Sequence, residues 1–186
     1  MRKVHGLFYA AALLVLAMQW GCASTRVSAS PAFSVAQNQM MLPIQPFSSI
    51  LASNAFTESV FNDFVDTMNE NSTRTPFTWF GIIKEDLTEV EQILAPGHIY
   101  LSGEVWSYLE DTGCCSTAIS VKSRIRIHRV VSRELLWEAE IPLETFFEHD
   151  NSSLAIEREK FEKRLSMTMA NELIKGLKAV KRVQLE

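Results

Sequence analysis

The sequence predicts an α+β domain: a mixed sheet in the element order β-α-β-α-β-β-β-α, with its helices packed on one face. Three observations lead there. Between His98 and Ile141 apolar residues recur with a period of two in three consecutive segments, the mark of strands with one buried face. Three other stretches carry apolar residues at helical spacing. A lone strand before each of two helices, followed by three strands in a row, calls for a sheet that mixes parallel and antiparallel pairing.

Taken in order, the chain opens with basic Arg2 and Lys3, then the uncharged run Gly6 to Met18, then Gly21-Cys22-Ala23. The run is short for a bilayer span, and the pattern of basic start, apolar centre and small residue at a cut is that of an export signal. An ordinary secretory signal with an incidental cysteine is one reading. Gly21-Cys22 resembles the cleavage site of a bacterial lipoprotein signal, and that resemblance implies that residues 1–21 are a lipoprotein signal peptide and Cys22 the lipidated residue. Residues 22–38 are rich in Ser and Ala and show no periodicity, which reads as a flexible tether. A single periplasmic domain is expected over 39–186.

Within that domain, Met40–Ile44 reads as a strand that Pro43 consigns to an edge. Ser53-Asn54 offers helix caps before Phe56, Val60, Phe64 and Met68, and this helix is expected to end near Asn71. Phe77–Phe80 reads as a second strand. Leu87, Val90, Ile93 and Leu94 mark a short helix over Glu85–Leu94, stopped by Pro96-Gly97. Three strands follow, with Ile99, Leu101, Gly103 and Val105, then Ile119, Val121, Ile125 and Ile127, then Leu135, Trp137, Ala139 and Ile141 on the buried face. Short polar breaks between them make an antiparallel meander the economical topology. Ser152-Ser153 caps a long helix to about Val183, with Phe161, Leu165, Met169, Leu173 and Leu177 on one side.

Composition bounds function. With 47% hydrophobic and 22% charged residues the chain is globular rather than disordered. Of its 18 basic residues two precede Cys22, leaving 16 against 22 acidic, a net charge of −6 on the exported part. An acidic domain is a poor partner for nucleic acid, so none is expected. No G-x-S-x-G, Gly-rich phosphate loop or H-E-x-x-H occurs. Glu148-His149-Asp150 reads as a solvated loop rather than a metal site. No catalytic residue, metal or cofactor is predicted, and the chain is expected to be non-enzymatic. Once Cys22 carries lipid, the remaining cysteines are the adjacent pair Cys114-Cys115 in a hairpin tip after Asp111-Thr112-Gly113. These read as two loop thiols or as a redox-labile or intermolecular disulfide.

Binding features are more telling. Tyr100, Trp106 and Tyr108 fall on the polar side of their strand, and Lys122, Arg124, Arg126 and His128 line the polar side of the next, facing Glu138 and Glu140. A solvated face with ion pairs explains the basic comb, and packing under a helix explains the aromatics. The alternative is an interface, formed by Tyr100, Trp106, Tyr108, Lys122, Arg124 and Arg126, with another subunit, a protein partner or a glycan. Phe146-Phe147, between the last strand and the long helix, is either half-buried or an exposed apolar tip that dips into the membrane.

Met41-Leu42-Pro43, Tyr100-Leu101-Ser102-Gly103-Glu104-Val105 and Glu134-Leu135-Leu136-Trp137 together resemble a group of bacterial envelope lipoproteins. The group includes the curli secretion lipoprotein CsgG, the Pel polysaccharide lipoprotein PelC, the peptidoglycan-synthase activator LpoB and the TolB amino-terminal domain. A short chain without long membrane hairpins is most similar to the PelC type. The turn Val130-Val131-Ser132-Arg133 departs from the group, which favours an acidic residue and a glycine there. The resemblance implies an outer-membrane lipoprotein on the periplasmic face and a homo-oligomer, acting in export or assembly of an envelope polymer such as exopolysaccharide. It equally admits an LpoB-like regulator that docks on a peptidoglycan synthase. Cys22→Ala should leave the protein unprocessed by the lipoprotein pathway or free in the periplasm. Fractionation showing it processed and still in the outer membrane would refute the anchor.

Overall fold

The structure is a computed structural model that describes residues 24–84, 88–89 and 94–183. Cys22 lies outside the described residues, and so does most of the helix expected over Glu85–Leu94. The predicted class holds: a mixed seven-stranded sheet with two long helices packed against it. Four short strands come first, β1 (Arg26–Ala29), β2 (Ser34–Ala36), β3 (Met41–Ile44) and β4 (Ser48–Ser49), followed by helix α1 (Asn54–Glu70) and β5 (Trp79–Ile82). The meander is β6 (Ile99–Thr112), β7 (Ser116–Arg129) and β8 (Leu135–Glu148), and the chain closes with α2 (Leu154–Lys178) and β9 (Lys181–Val183). The main sheet runs β1-β8-β7-β6-β3-β5, with β4 beside β6, while β2 and β9 form a separate parallel pair.

Each meander strand spans 14 residues, and both pairings are antiparallel. Isoleucines and valines from their inner face are fully buried beneath α1 and α2. Ser53 caps α1 by accepting from the Phe56 amide at 3.2 Å, and Asn71 follows the helix, as the sequence predicts. Ser153 caps α2 in the same way.

Several expectations are corrected. The stretch 23–38 is not all tether, because β1 pairs with the outer edge of β8 and β2 pairs with β9. α2 stops at Lys178 rather than Val183, freeing Lys181–Val183 for that second pairing. The strand expected at Phe77–Phe80 lies at Trp79–Ile82. Leu135 is not inward: an extra residue, Leu136, sits in β8 between Trp137 and Leu135, and Leu136 is buried while Leu135 is exposed. Phe146 and Phe147 lie inside β8 rather than in a connecting loop, with Phe147 in the core and Phe146 66% exposed. Neighbours in a strand face opposite sides, so a two-ring tip does not form.

β3 is not an edge strand despite Pro43. It lies between β5 and β6 and pairs in parallel with both. Successive residues of a parallel strand bond alternately to its two neighbours. The Gln45 amide donates to Leu101 O at 2.9 Å, so the nitrogen two residues earlier, that of Pro43, falls on the β6 side and has no hydrogen to give. Buried Gln39 fills the gap. Its Nε2 donates to Ile99 O at 2.7 Å and to Met41 O at 3.0 Å, and its Oε1 accepts from Ile99 N at 2.9 Å.

Two glycines serve close approach. A Cβ on Gly103 would collide with the Phe47 ring, which meets Phe61 edge-on and Phe64 at a tilt, both on α1. A Cβ on Gly176 would lie 2.8 Å from the Trp137 indole, so the glycine that weakens α2 is what lets the helix rest on that ring. The turn after β7 is built without glycine. Val131 and Arg133 hold φ of 73° and 56°, a left-handed conformation that side chains resist and that a glycine would adopt freely. Trp137 is 2% exposed, so Trp137→Ala should destabilise by roughly 3–5 kcal/mol. Gly103→Ala should cost about 1–3 kcal/mol through overpacking against Phe47. Thermal melts that leave either variant at the wild-type temperature would contradict these contacts.

Candidate functional site

All the candidate interface residues but Tyr108 meet on the outer face of the meander, away from the helices. β6 and β7 pair Tyr100 with His128, Ser102 with Arg126 and Glu104 with Arg124; β7 and β8 pair Arg126 with Glu138 and Arg124 with Glu140. Side chains follow this register closely. Arg124 Nε donates to Glu104 Oε2 at 2.9 Å, Arg126 Nη1 lies 3.7 Å from the same oxygen, and Arg126 Nε donates to Glu138 Oε2. The basic comb is thus largely neutralised by carboxylates on both sides, which orders the face more than it stabilises it.

Trp106 is the extra residue of a bulge, since β6 and β7 slip register between Val105 and Ser107. Its ring lies under Lys122 Nζ at 5.4 Å and Arg124 Cζ at 5.8 Å. Its indole nitrogen is shielded from solvent and finds no hydrogen-bond partner among the described residues.

The bulge also corrects the expected aromatic stripe. Beyond Trp106 every side chain changes face, so Tyr108 stands opposite core residue Val121 and packs on Phe56 of α1, ring centroids 5.0 Å apart. Its hydroxyl donates to Glu110 Oε2 at 2.9 Å, which also accepts from Arg158 Nη2 of α2 at 2.7 Å. Burial alone would lift the Glu110 carboxyl, but the hydrogen bonds from Arg158 and Tyr108 outweigh it and hold it below its usual range. Tyr108 is a strut between sheet and helices, not part of the outer face.

Tyr100 remains at that face but is buried, stacked on His128 with centroids 5.2 Å apart. His128 Nε2 lies 3.1 Å from Ser102 Oγ. Burial holds the His128 imidazole below its ordinary value; the Arg126 guanidinium pushes the same way, against a backbone contact with Arg133 and the Glu138 carboxylate. Burial also lowers His98.

At the far end of the meander, Gly113, Cys114 and Cys115 turn the β6–β7 hairpin, with both sulfurs exposed and 3.0 Å apart. His149 ties this tip to the end of β8: its amide donates to Cys115 O at 2.9 Å, and its Nε2 lies 2.9 Å from Thr117 Oγ1. Sequence periodicity missed this link, because it joins a loop residue to a turn across two strands.

The fold is shared with known envelope proteins. A PelC dodecamer from Paraburkholderia phytofirmans matches with a TM-score of 0.50 at 13% identity, over 76% of this chain and 95% of that one. A point-variant PelC dodecamer from the same organism gives 0.51 at 13% identity, over 77% and 96%. A minor lipoprotein from Acinetobacter baumannii gives 0.44 at 9% identity, over 78% and 97%. No family model matches the chain. No curated protein matches it. The shared feature is the fold: the chain has the architecture of PelC.

The histidines make stability pH-dependent. A group whose folded value is lowered stabilises the protein above its unfolded value, about 6.5 for imidazole. That contribution is lost as pH falls through the lower folded value. The melting temperature should therefore fall on going from pH 7 to pH 5, and His128→Phe, which keeps a ring against Tyr100, should shrink the fall. An unchanged fall in the variant would show that His128 is not responsible.

Proposed function

We propose that this protein is an outer-membrane lipoprotein, anchored through Cys22 on the periplasmic face, that works as a non-enzymatic, ring-forming part of an envelope polymer export or assembly system. Exopolysaccharide is the polymer this reading favours. The observation that carries it is the likeness to PelC, which spans almost the whole of that chain, and PelC is a dodecamer.

The edges of the main sheet support assembly. β1 and β5 are its two outer strands, and a closed ring needs two different surfaces that fit each other head to tail. Trp79 and Ile82 on β5 and Met40, whose carbonyl accepts from the Thr78 amide, are 50%, 43% and 52% exposed. An exposed tryptophan among aliphatic residues is the kind of anchor on which protein interfaces centre.

A regulator that docks on a peptidoglycan synthase is the alternative reading. Such a protein must reach away from its membrane, and here β1 begins at Arg26, four residues after Cys22. That spacing favours work at the membrane surface. Native mass spectrometry of the purified lipoprotein in detergent should show a single high-order oligomer, and Trp79→Ser should dissociate it. A monomer at micromolar concentration would remove the ring and leave the regulator as the better reading.

A further inference from the structure

We propose that the β6–β7 hairpin end of the domain lies in the headgroup layer of the membrane that holds Cys22, with Phe146 and Leu109 as its lipid-facing side chains. The inference rests on the lipid anchor proposed above and specifies which surface that anchor presents to lipid.

The direction comes from strand polarity. β1 runs antiparallel to β8, with Arg26 opposite Glu140 and Ala29 opposite Trp137. The chain before Arg26 therefore arrives from the side of β8 that carries residues 141–148, the end where the hairpin turns at Gly113-Cys114-Cys115. The distance comes from chain length. Only Ala23, Ser24 and Thr25 separate Cys22 from Arg26. At most about 3.5 Å per residue, those four steps reach roughly 14 Å whatever path they take. Phe146 lies six residues beyond Glu140 on β8, which at about 3.4 Å per residue is roughly 20 Å past Arg26. The sheet end projects further than the linker can extend, so a lipid on Cys22 cannot hold this end clear of the bilayer when the strands stand upright on it.

The surface at that end suits the position. Phe146 is 66% exposed and Leu109 62% exposed. Phe146 pairs with Ala118 and Leu109 with Ser120, so both point to the outer face and flank the same stretch of β7. Phe147, its inward neighbour, is in the core and keeps the strand rigid beneath the exposed ring. Exposed Asp111 and Glu144 lie two residues from Leu109 and Phe146 and oppose deeper immersion, which sets a shallow, interfacial depth.

The test uses the full lipidated protein, reconstituted into phosphatidylethanolamine–phosphatidylglycerol vesicles. With Cys22 blocked by lipid, Cys114 and Cys115 are the only thiols, and after reduction they accept an environment-sensitive fluorophore at the hairpin tip. A lipid spin-labelled near its headgroup should quench this probe, and Phe146→Ser or Leu109→Ser should reduce the quenching without lowering the melting temperature. A lipidated protein whose probe stays unquenched overturns the orientation and leaves the anchor intact. Quenching that neither serine variant reduces overturns the assignment of these two side chains. An intact mass without lipid on Cys22 overturns the anchor, and the orientation with it.

Discussion

The architecture depends on how two unlike halves of one sheet are joined. The meander is a strong antiparallel unit, and β3 with β5 is a short parallel one. Between them stand the Ile44–Leu101 pairing, the two-residue β4 and the Gln39 side chain. Pro43 would leave Ile99 O without a donor in a region closed to water, a loss of about 1–3 kcal/mol for a buried polar group. The Gln39 amide offers both a donor and an acceptor, as a peptide group does, and so completes the ladder. Just beyond this join Gly103 lets Phe47 drop onto the sheet and meet α1. Position of the helices, closure of the core and the free edge at β5 all follow from that seam.

The outer face is ordered in a different way. Its arginines and glutamates alternate across three strands, and Arg124 and Arg126 are matched by Glu104 and Glu138 within the sheet. Trp106 interrupts this pattern, with two cations over its ring and an indole N–H without a protein partner. Combined with open edges at β1 and β5, the fold presents several surfaces for association.

Much of this was legible in the sequence. Period-two alternation located the three long strands, helical stripes with serine caps located α1 and α2 to within a few residues, and Gly21-Cys22 marked the proposed anchor. Some errors had signals that went unused. Val105 and Tyr108 are both apolar and three apart, which a bulge-free strand would not place on one face. Leu135-Leu136-Trp137 is a similar break in alternation. The odd-numbered series Ile141, Leu143, Thr145, Phe147 continues straight through the supposed loop, so parity alone could have assigned Phe147 to the core.

By itself, the sequence determined what local periodicity can encode: element types, the buried face of each regular strand, the caps and the α+β class. Tertiary structure alone decided the rest. β1 is exposed along its whole length and is held by backbone bonds to β8, which leave no side-chain pattern to read. The interior place of a proline strand depends on a glutamine sixty residues from its partner. The two bulges reverse which side chains share a face, and the antiparallel entry of β1 sets which end of the domain the preceding chain comes from. Each of these is a pairing between distant segments, and a pairing is a property of two stretches of chain that neither carries alone.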